Sequence, residues 1–319
     1  MTNFVLGTRG SALALAQVEL TRAALAQAWP ALVVEVKTFV TRGDQKLDLS
    51  LIRANEAGGK GLFTRELEDA LLAGTIDVAV HSLKDLPGHN PPGLAVTAVL
   101  ERASTADVLI AKAAARFADL PNGAPIGTSS VRRARQIRWL RPELKIEEWR
   151  GNVQTRLRKL GETAGVHGIV LAQAGLERLG YDCASPFLRF ASGPSYAFKF
   201  HLCSLRDELL PAIGQGAIAL QSRADRGEVT AILQRIDHAP THTAIRAERE
   251  LQRLLAGDCA LPVGVRTELA GDRLKMQAIL FSPDDNEPPA RAVAEGDAAA
   301  PEAVAAQLFS RLAPQRAVA

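Results

Sequence analysis

Leu6-Gly7-Thr8-Arg9-Gly10-Ser11 closes a short apolar run and opens Ser11–Ala28, an Ala/Leu-rich stretch whose apolar spacing is helical. Phe4–Leu6 reads as a strand and the β-branched segment Val33–Val40 as another, so the chain begins strand, helix, strand. Phe63–Ala73 then reads as a helix with Leu62, Leu67, Leu71 and Leu72 on one side, Gly74 as its stop, and Ile76–Val80 as a buried strand. Strands alternating with helices favour a largely parallel α/β sheet.

The same stations return in the same order. Ile126-Gly127-Thr128-Ser129-Ser130 opens the helical stretch Val131–Leu140, as Leu6–Ser11 opened the first helix. Arg150-Gly151-Asn152 echoes Arg42-Gly43-Asp44 at the end of a strand. Gly165 with Gly168–Leu171 and Ala172-Gln173 echoes Gly74 with Ile76–Val80 and His81-Ser82. This repetition predicts two similar α/β lobes, about residues 1–100 and 101–210, with strand ends and helix N-termini facing a shared crevice. The glycine-punctuated run Ala212–Leu220 fits a returning strand or hinge. A charged helix, Thr243–Leu255, and the strand-like Lys275–Phe281 point to a small third α+β domain.

Composition narrows the function. The 319 residues are 47% hydrophobic and 23% charged, an ordinary globular balance, with 38 Lys plus Arg against 35 Asp plus Glu. A net charge of +3 is too balanced for a general nucleic-acid binder. Three scattered cysteines, Cys183, Cys203 and Cys259, offer neither a disulfide framework nor metal-ligand spacing, which favours a reducing cytoplasmic setting. The longest charge-free stretch, Leu86–Leu100, is too short and too polar to span a membrane.

Charge is concentrated locally. Ile126–Leu160 holds ten Lys/Arg against three Glu. Arg132 and Arg133 fall in the first turn of a helix, where cations oppose the macrodipole, so an anion is expected beside them. With the preceding hydroxyls and free N–H groups they would cradle carboxylates or phosphates. Arg9 and Ser11 hold the equivalent place in the first lobe, so a ligand with several negative groups is expected. His81-Ser82-Leu83-Lys84-Asp85-Leu86-Pro87 follows a buried strand, which puts Asp85 at a strand end beside the cleft. There a carboxylate can hold a substrate N–H or stabilise a developing cation. Cys259 lies in a loop, and composition alone leaves it either inert or a covalent attachment point.

These blocks together resemble the porphobilinogen deaminase family, also called hydroxymethylbilane synthases. The resemblance rests on Gly7–Ser11, Val40–Asp44, Gly58–Phe63, Val80–Pro87, Gly127–Arg133, Arg150–Val153 with Thr155–Leu157, Ala172–Gly180 and Ile213–Ala217, which run in family order over nearly the whole chain. It implies a fold of two type II periplasmic-binding-protein-like α/β lobes around a cleft, plus a small C-terminal α+β domain. The implied domains are residues 1–100 with about 212–236, residues 101–211, and residues 237–319. It further implies a monomeric cytoplasmic transferase that condenses four porphobilinogens head to tail, with loss of ammonia, in tetrapyrrole and haem biosynthesis. Chain growth in the family starts on a dipyrromethane cofactor held by thioether to a cysteine, whose place Cys259 takes. Matched by position, Asp85 is the catalytic carboxylate. Arg9, Ser11, Ser82, Lys84, Thr128, Ser129, Ser130, Arg132, Arg133, Arg150, Asn152, Arg156, Arg178 and Gln215 bind cofactor and substrate. Lys60, with Phe63, belongs to a loop over the site.

The chain departs from the family pattern in two places. Asp258 replaces the second of two glycines before the cysteine, and Ala260 follows it. Asp tolerates φ > 0, so the turn can survive, but its charge is unfavourable beside a polycarboxylate cofactor. The aromatic segment Cys183–Phe200 reads as an insertion that packs a lobe. A non-catalytic two-lobed anion-binding or sensor protein is the alternative that the duplicated lobes equally support. A nucleic-acid binder, the third possibility, would show steeply salt-dependent binding.

Overall fold

The computed structural model describes residues 3–41, 64–190, 199–255, 262–282 and 287–312. Lys60, Phe63 and Cys259, and the Arg42-Gly43-Asp44 station, lie outside the described residues.

The first sheet contains β1 (Phe4–Arg9), β2 (Val34–Phe39), β3 (Val78–Ser82), β4 (Leu94–Val99) and β12 (Ile218–Arg223) in the order β2-β1-β3-β12-β4. Strands β1, β2 and β3 are parallel, and β12 runs antiparallel to β3 and β4. The second sheet contains β5 (Asp107–Ala111), β6 (Pro125–Gly127), β7 (Lys145–Glu147), β8 (Gly168–Ala172) and β11 (His201–Ser204). Its order, read as β7-β6-β8-β5-β11, repeats the first sheet strand for strand, with β5 as the antiparallel member. The chain passes from one sheet to the other after β4 and back after β11. In both cases the strand beside the crossover inserts antiparallel into the middle of its sheet. This is the type II periplasmic-binding-protein-like arrangement, two lobes joined by two crossovers.

Local chemistry accounts for the elements. Helix α1 (Ala12–Ala28) starts at Ser11, whose hydroxyl accepts from the Ala14 N–H, and buries Ala14, Gln17, Val18, Thr21 and Leu25, one face at helical spacing. Helix α2 (Arg65–Leu72) is followed by Gly74 at φ +69°, the left-handed stop expected there. Strands β3, β5 and β8 are buried almost throughout, as central strands covered on both faces must be. The aromatic segment begins within a small hairpin, in which β9 (Tyr181–Asp182), just ahead of it, pairs with β10 (Arg189–Phe190). Tyr181 and Phe200 enter the second lobe's core, and the Phe187 ring lies 4.9 Å from that of His201.

The third unit is an antiparallel sheet of β13 (Val263–Ala270), β14 (Arg273–Leu280) and β15 (Ala290–Asp297). Two helices pack against it: α7 (Ala239–Leu254), which begins before Thr243 because Pro240 is tolerated in a first turn, and α8 (Pro301–Leu312). The remaining helices are α3 (Val131–Leu140), α4 (Val153–Glu162), α5 (Gln173–Arg178) and α6 (Gly227–Gln234). Ile213, on the second crossover, is buried in the core of this third unit, and the Pro211 carbonyl accepts from the Val265 N–H at 2.8 Å. The C-terminal unit is thus seated on the crossover itself.

Candidate active site

Asp85 stands on a single 3₁₀ turn, Leu83–Asp85, where β3 ends. The turn is held from three sides. Leu83 donates its N–H to the Ala217 carbonyl at 3.1 Å and is buried. The second crossover presses against it at Gly214, where φ is +70° and a Cβ would lie 3.0 Å from the Lys84 nitrogen. Gly216, at φ +85°, passes the first crossover so closely that a Cβ would lie 2.8 Å from the Ser104 carbonyl oxygen. Only glycine fits either position. The run Ile213–Ala217 is therefore a hinge turn leading into β12, and it locates the Asp85 turn against the first crossover. From α7 of the third unit, Arg249 donates to the Pro87 carbonyl at 3.1 Å and to Asn90 Oδ1 at 3.1 Å, fixing the chain that leaves Asp85.

The second lobe supplies the cations. The anion expected beside Arg132 and Arg133 comes from the chain itself: Asp107, heading β5, pairs with Arg132 Nη1 and Arg133 Nη2, each at 2.7 Å, and all three are buried. Burial alone would raise the Asp107 carboxyl, but the two guanidinium charges and their hydrogen bonds hold it well below the usual carboxylate range. Arg132 also donates to the Leu210 carbonyl at 2.7 Å, and Arg133 to the Val170 carbonyl at 3.0 Å. Arg132 Nε, although buried, has no hydrogen-bond partner among the described residues.

The two lobes meet electrically at Asp85. Lys84 is pushed down to about 8 by burial, with Asp85 and Asp107 opposing and Arg133 and Arg132 adding to the shift. Arg156, on α4, is lowered to about 10 by burial and by the charges of Arg133 and Arg150, and Asp85 opposes this. Arg178, on α5, is likewise lowered to about 10 by burial and donates to the Gly216 carbonyl at 2.6 Å. His81 is buried, pairs with Gln221 Oε1 at 3.2 Å, and is held near 4 by burial with a smaller push from Arg9. The cluster contains several cations and one orphaned buried N–H, that of Arg132 Nε. Those features suit a polycarboxylate such as the cofactor implied by the resemblance.

Several hydroxyls expected at the ligand have backbone duties. Ser130 caps α3 by accepting from the Arg133 N–H, and Asn152 caps α4 by accepting from the Thr155 N–H at 2.8 Å. Ser129 donates to the Trp149 carbonyl and accepts from the Trp149 N–H. Thr128 Oγ1 accepts from the Ser130 N–H, and Ser82 exchanges hydrogen bonds with Gln17. These contacts shape the two helix N-termini. Arg150 pairs with Glu148, and Arg156 donates to the Gly151 carbonyl, both at 2.7 Å. Sequence reasoning missed Asp107, whose one signal was an acid at the head of an otherwise apolar strand. It also missed Arg102, which bridges to Glu248 of α7 at 2.6 Å.

The duplicated lobes, with Asp85 at a strand end of the first and the buried Arg132–Arg133–Asp107 cluster in the second, define a two-lobed α/β protein. The family model described as "Porphobilinogen deaminase, dipyromethane cofactor binding domain" matches residues 4–231. That described as "Porphobilinogen deaminase, C-terminal domain" matches residues 242–313. A porphobilinogen deaminase from Syntrophobacter fumaroxidans is 44% identical over 88% of this chain and 85% of its own length. One from Geobacillus kaustophilus is 40% identical over 100% of this chain and 96% of its own. The chain belongs to the porphobilinogen deaminase family.

Proposed function

We propose that this chain is a cytoplasmic, monomeric hydroxymethylbilane synthase that converts four porphobilinogens and one water into hydroxymethylbilane and four ammonias. The observation that carries the reading is Asp85, half-buried at a strand end, where its charge acts on Lys84 beside it and on Arg156 of α4. Lobe 1 is residues 1–100 with about 212–236, lobe 2 is 101–211, and the C-terminal domain is 237–319. No helix among the described residues is long and apolar enough to cross a membrane.

Porphobilinogen carries an acetate and a propionate, so each addition brings two more carboxylates into the cleft. Lys84, Arg9, Arg132, Arg133, Arg150, Arg156 and Arg178 bind these groups, and Gln215 and the capped helix N-termini with Ser11, Ser82, Thr128, Ser129, Ser130 and Asn152 frame them. The family's dipyrromethane, attached at Cys259, supplies the free pyrrole α-carbon from which chain growth begins. Lys60, matched by position, is a further cation for these carboxylates. Asp85 accepts a hydrogen bond from the substrate pyrrole N–H. As the protonated aminomethyl group departs as ammonia, the ring nitrogen pushes electrons outward and becomes positive, and the Asp85 carboxylate stabilises that charge. The same carboxylate then takes part in removing the α-proton once the new carbon–carbon bond has formed.

The reading is tested by supplying the purified protein with porphobilinogen: one ammonia per porphobilinogen and a linear tetrapyrrole are expected, and binding without ammonia release favours the sensor alternative. The pH profile adds a second check. Lys84 titrates near 8, so it is charged below that pH and neutral above it. Its hold on substrate carboxylates weakens as pH rises, and kcat/KM, which reports the free enzyme, falls on a basic limb near 8. In Lys84→Arg the charge persists, so this limb moves to higher pH; an unchanged limb removes Lys84 from substrate binding.

A further inference from the structure

Asp107 does more than neutralise charge. Its Oδ1 accepts from Arg133 Nε at 3.0 Å and Nη2 at 2.7 Å, and its Oδ2 accepts from Arg132 Nη1 at 2.7 Å. Oδ1 also accepts from Gln215 Nε2 at 2.9 Å, and the same amide reaches the Thr105 carbonyl at 2.7 Å. Gln215 sits on the second crossover, and its own carbonyl accepts from Arg102 Nε at 2.9 Å on the first. The Arg102 guanidinium is gripped by both oxygens of Glu248, at 2.6 and 3.0 Å, and Glu248 Oε2 also accepts from the Gly214 N–H at 2.7 Å. A buried polar chain thus runs from the C-terminal domain through both crossovers to the arginine pair; Gln215 Oε1 also accepts from Arg132 Nη2 at 3.5 Å, and Asp107 is the link that touches both arginines.

Taking Arg132 and Arg133 as carboxylate binders, as above, we propose that Asp107 is a positioning residue that presets both guanidiniums and ties their placement to the crossovers. A long arginine side chain loses rotamer freedom when it is held, so fixing it beforehand spares that cost at binding. The pair retains donors beyond those Asp107 takes, including the unpartnered Arg132 Nε. Because the anchor is in the sheet, the donors keep one geometry for every substrate carboxylate that arrives.

Two substitutions test this, read by the loaded fraction of the as-purified protein, measured as intact mass, and by KM and kcat separately. Asp107→Glu keeps the charge, which satisfies a purely structural role, but moves the anchor by one methylene. It should retain the wild-type unfolding midpoint to within a small shift, raise KM by about tenfold, the effect of one impaired charged hydrogen bond, and change kcat less. Asp107→Asn removes the charge and should lower the loaded fraction more strongly. Wild-type KM and loading in both variants overturn the proposal, and so does failure of both to fold, since Asp107 is then purely structural. A wild type that neither loads a primer nor consumes porphobilinogen refutes the functional reading instead.

Discussion

Asp85→Ala and Asp85→Asn should each lower turnover by about 10³-fold while leaving the melting curve intact. The magnitude follows from removing an electrostatic stabiliser of a developing charge, about 10²- to 10³-fold, together with part of a proton-transfer role. Asn preserves the shape and one acceptor oxygen, so an equal loss in both variants assigns the effect to the charge. The fold should survive because the turn is held by Leu83, by the glycines of the second crossover and by Arg249, none of which uses the Asp85 side chain. Steady-state turnover of the loaded variants decides the matter: rates near wild type remove Asp85 from the chemistry.

Arg132→Leu should damage stability and loading together. The substitution strips Asp107 Oδ2 and the Leu210 carbonyl of a donor and leaves the buried carboxylate with one guanidinium. Breaking a buried pair from one side costs roughly 3–5 kcal/mol, and the remaining Arg133 keeps the loss near about 3. A lower urea midpoint and a smaller fraction of chains carrying cofactor are expected from the same preparation. A normal midpoint with reduced loading would make Arg132 a binder with little structural weight. If neither quantity changes, Arg132 has neither role.

The fold was legible where its signals are local. The Gly-Thr openings of α1 and α3, with Ser11 and Ser130 as caps, lie within a few residues of the helices they start. The recurrence of β1, β2 and β3 as β6, β7 and β8 could therefore be read from order alone. What could not be read is which sheet each crossing strand enters, because the apolar runs of β5 and β12 look the same whatever they pair with. The anion for Arg132 and Arg133 illustrates the same limit. Position in the first turn of a helix points to an anionic ligand, whereas the carboxylate that pairs with the arginines, Asp107, lies on another element and meets them only through the second sheet. Hydroxyls such as Ser129 were counted toward the ligand because residue type alone does not reveal that Trp149 uses both the donor and the acceptor.

The central claim, that this chain builds its own primer on Cys259 and extends it, is tested most directly by intact-protein mass spectrometry of the wild type and Cys259→Ser. The account predicts a wild-type mass excess equal to two porphobilinogens less two ammonias, and no excess in the variant. An unmodified wild type that still gains no mass when incubated with porphobilinogen would contradict it.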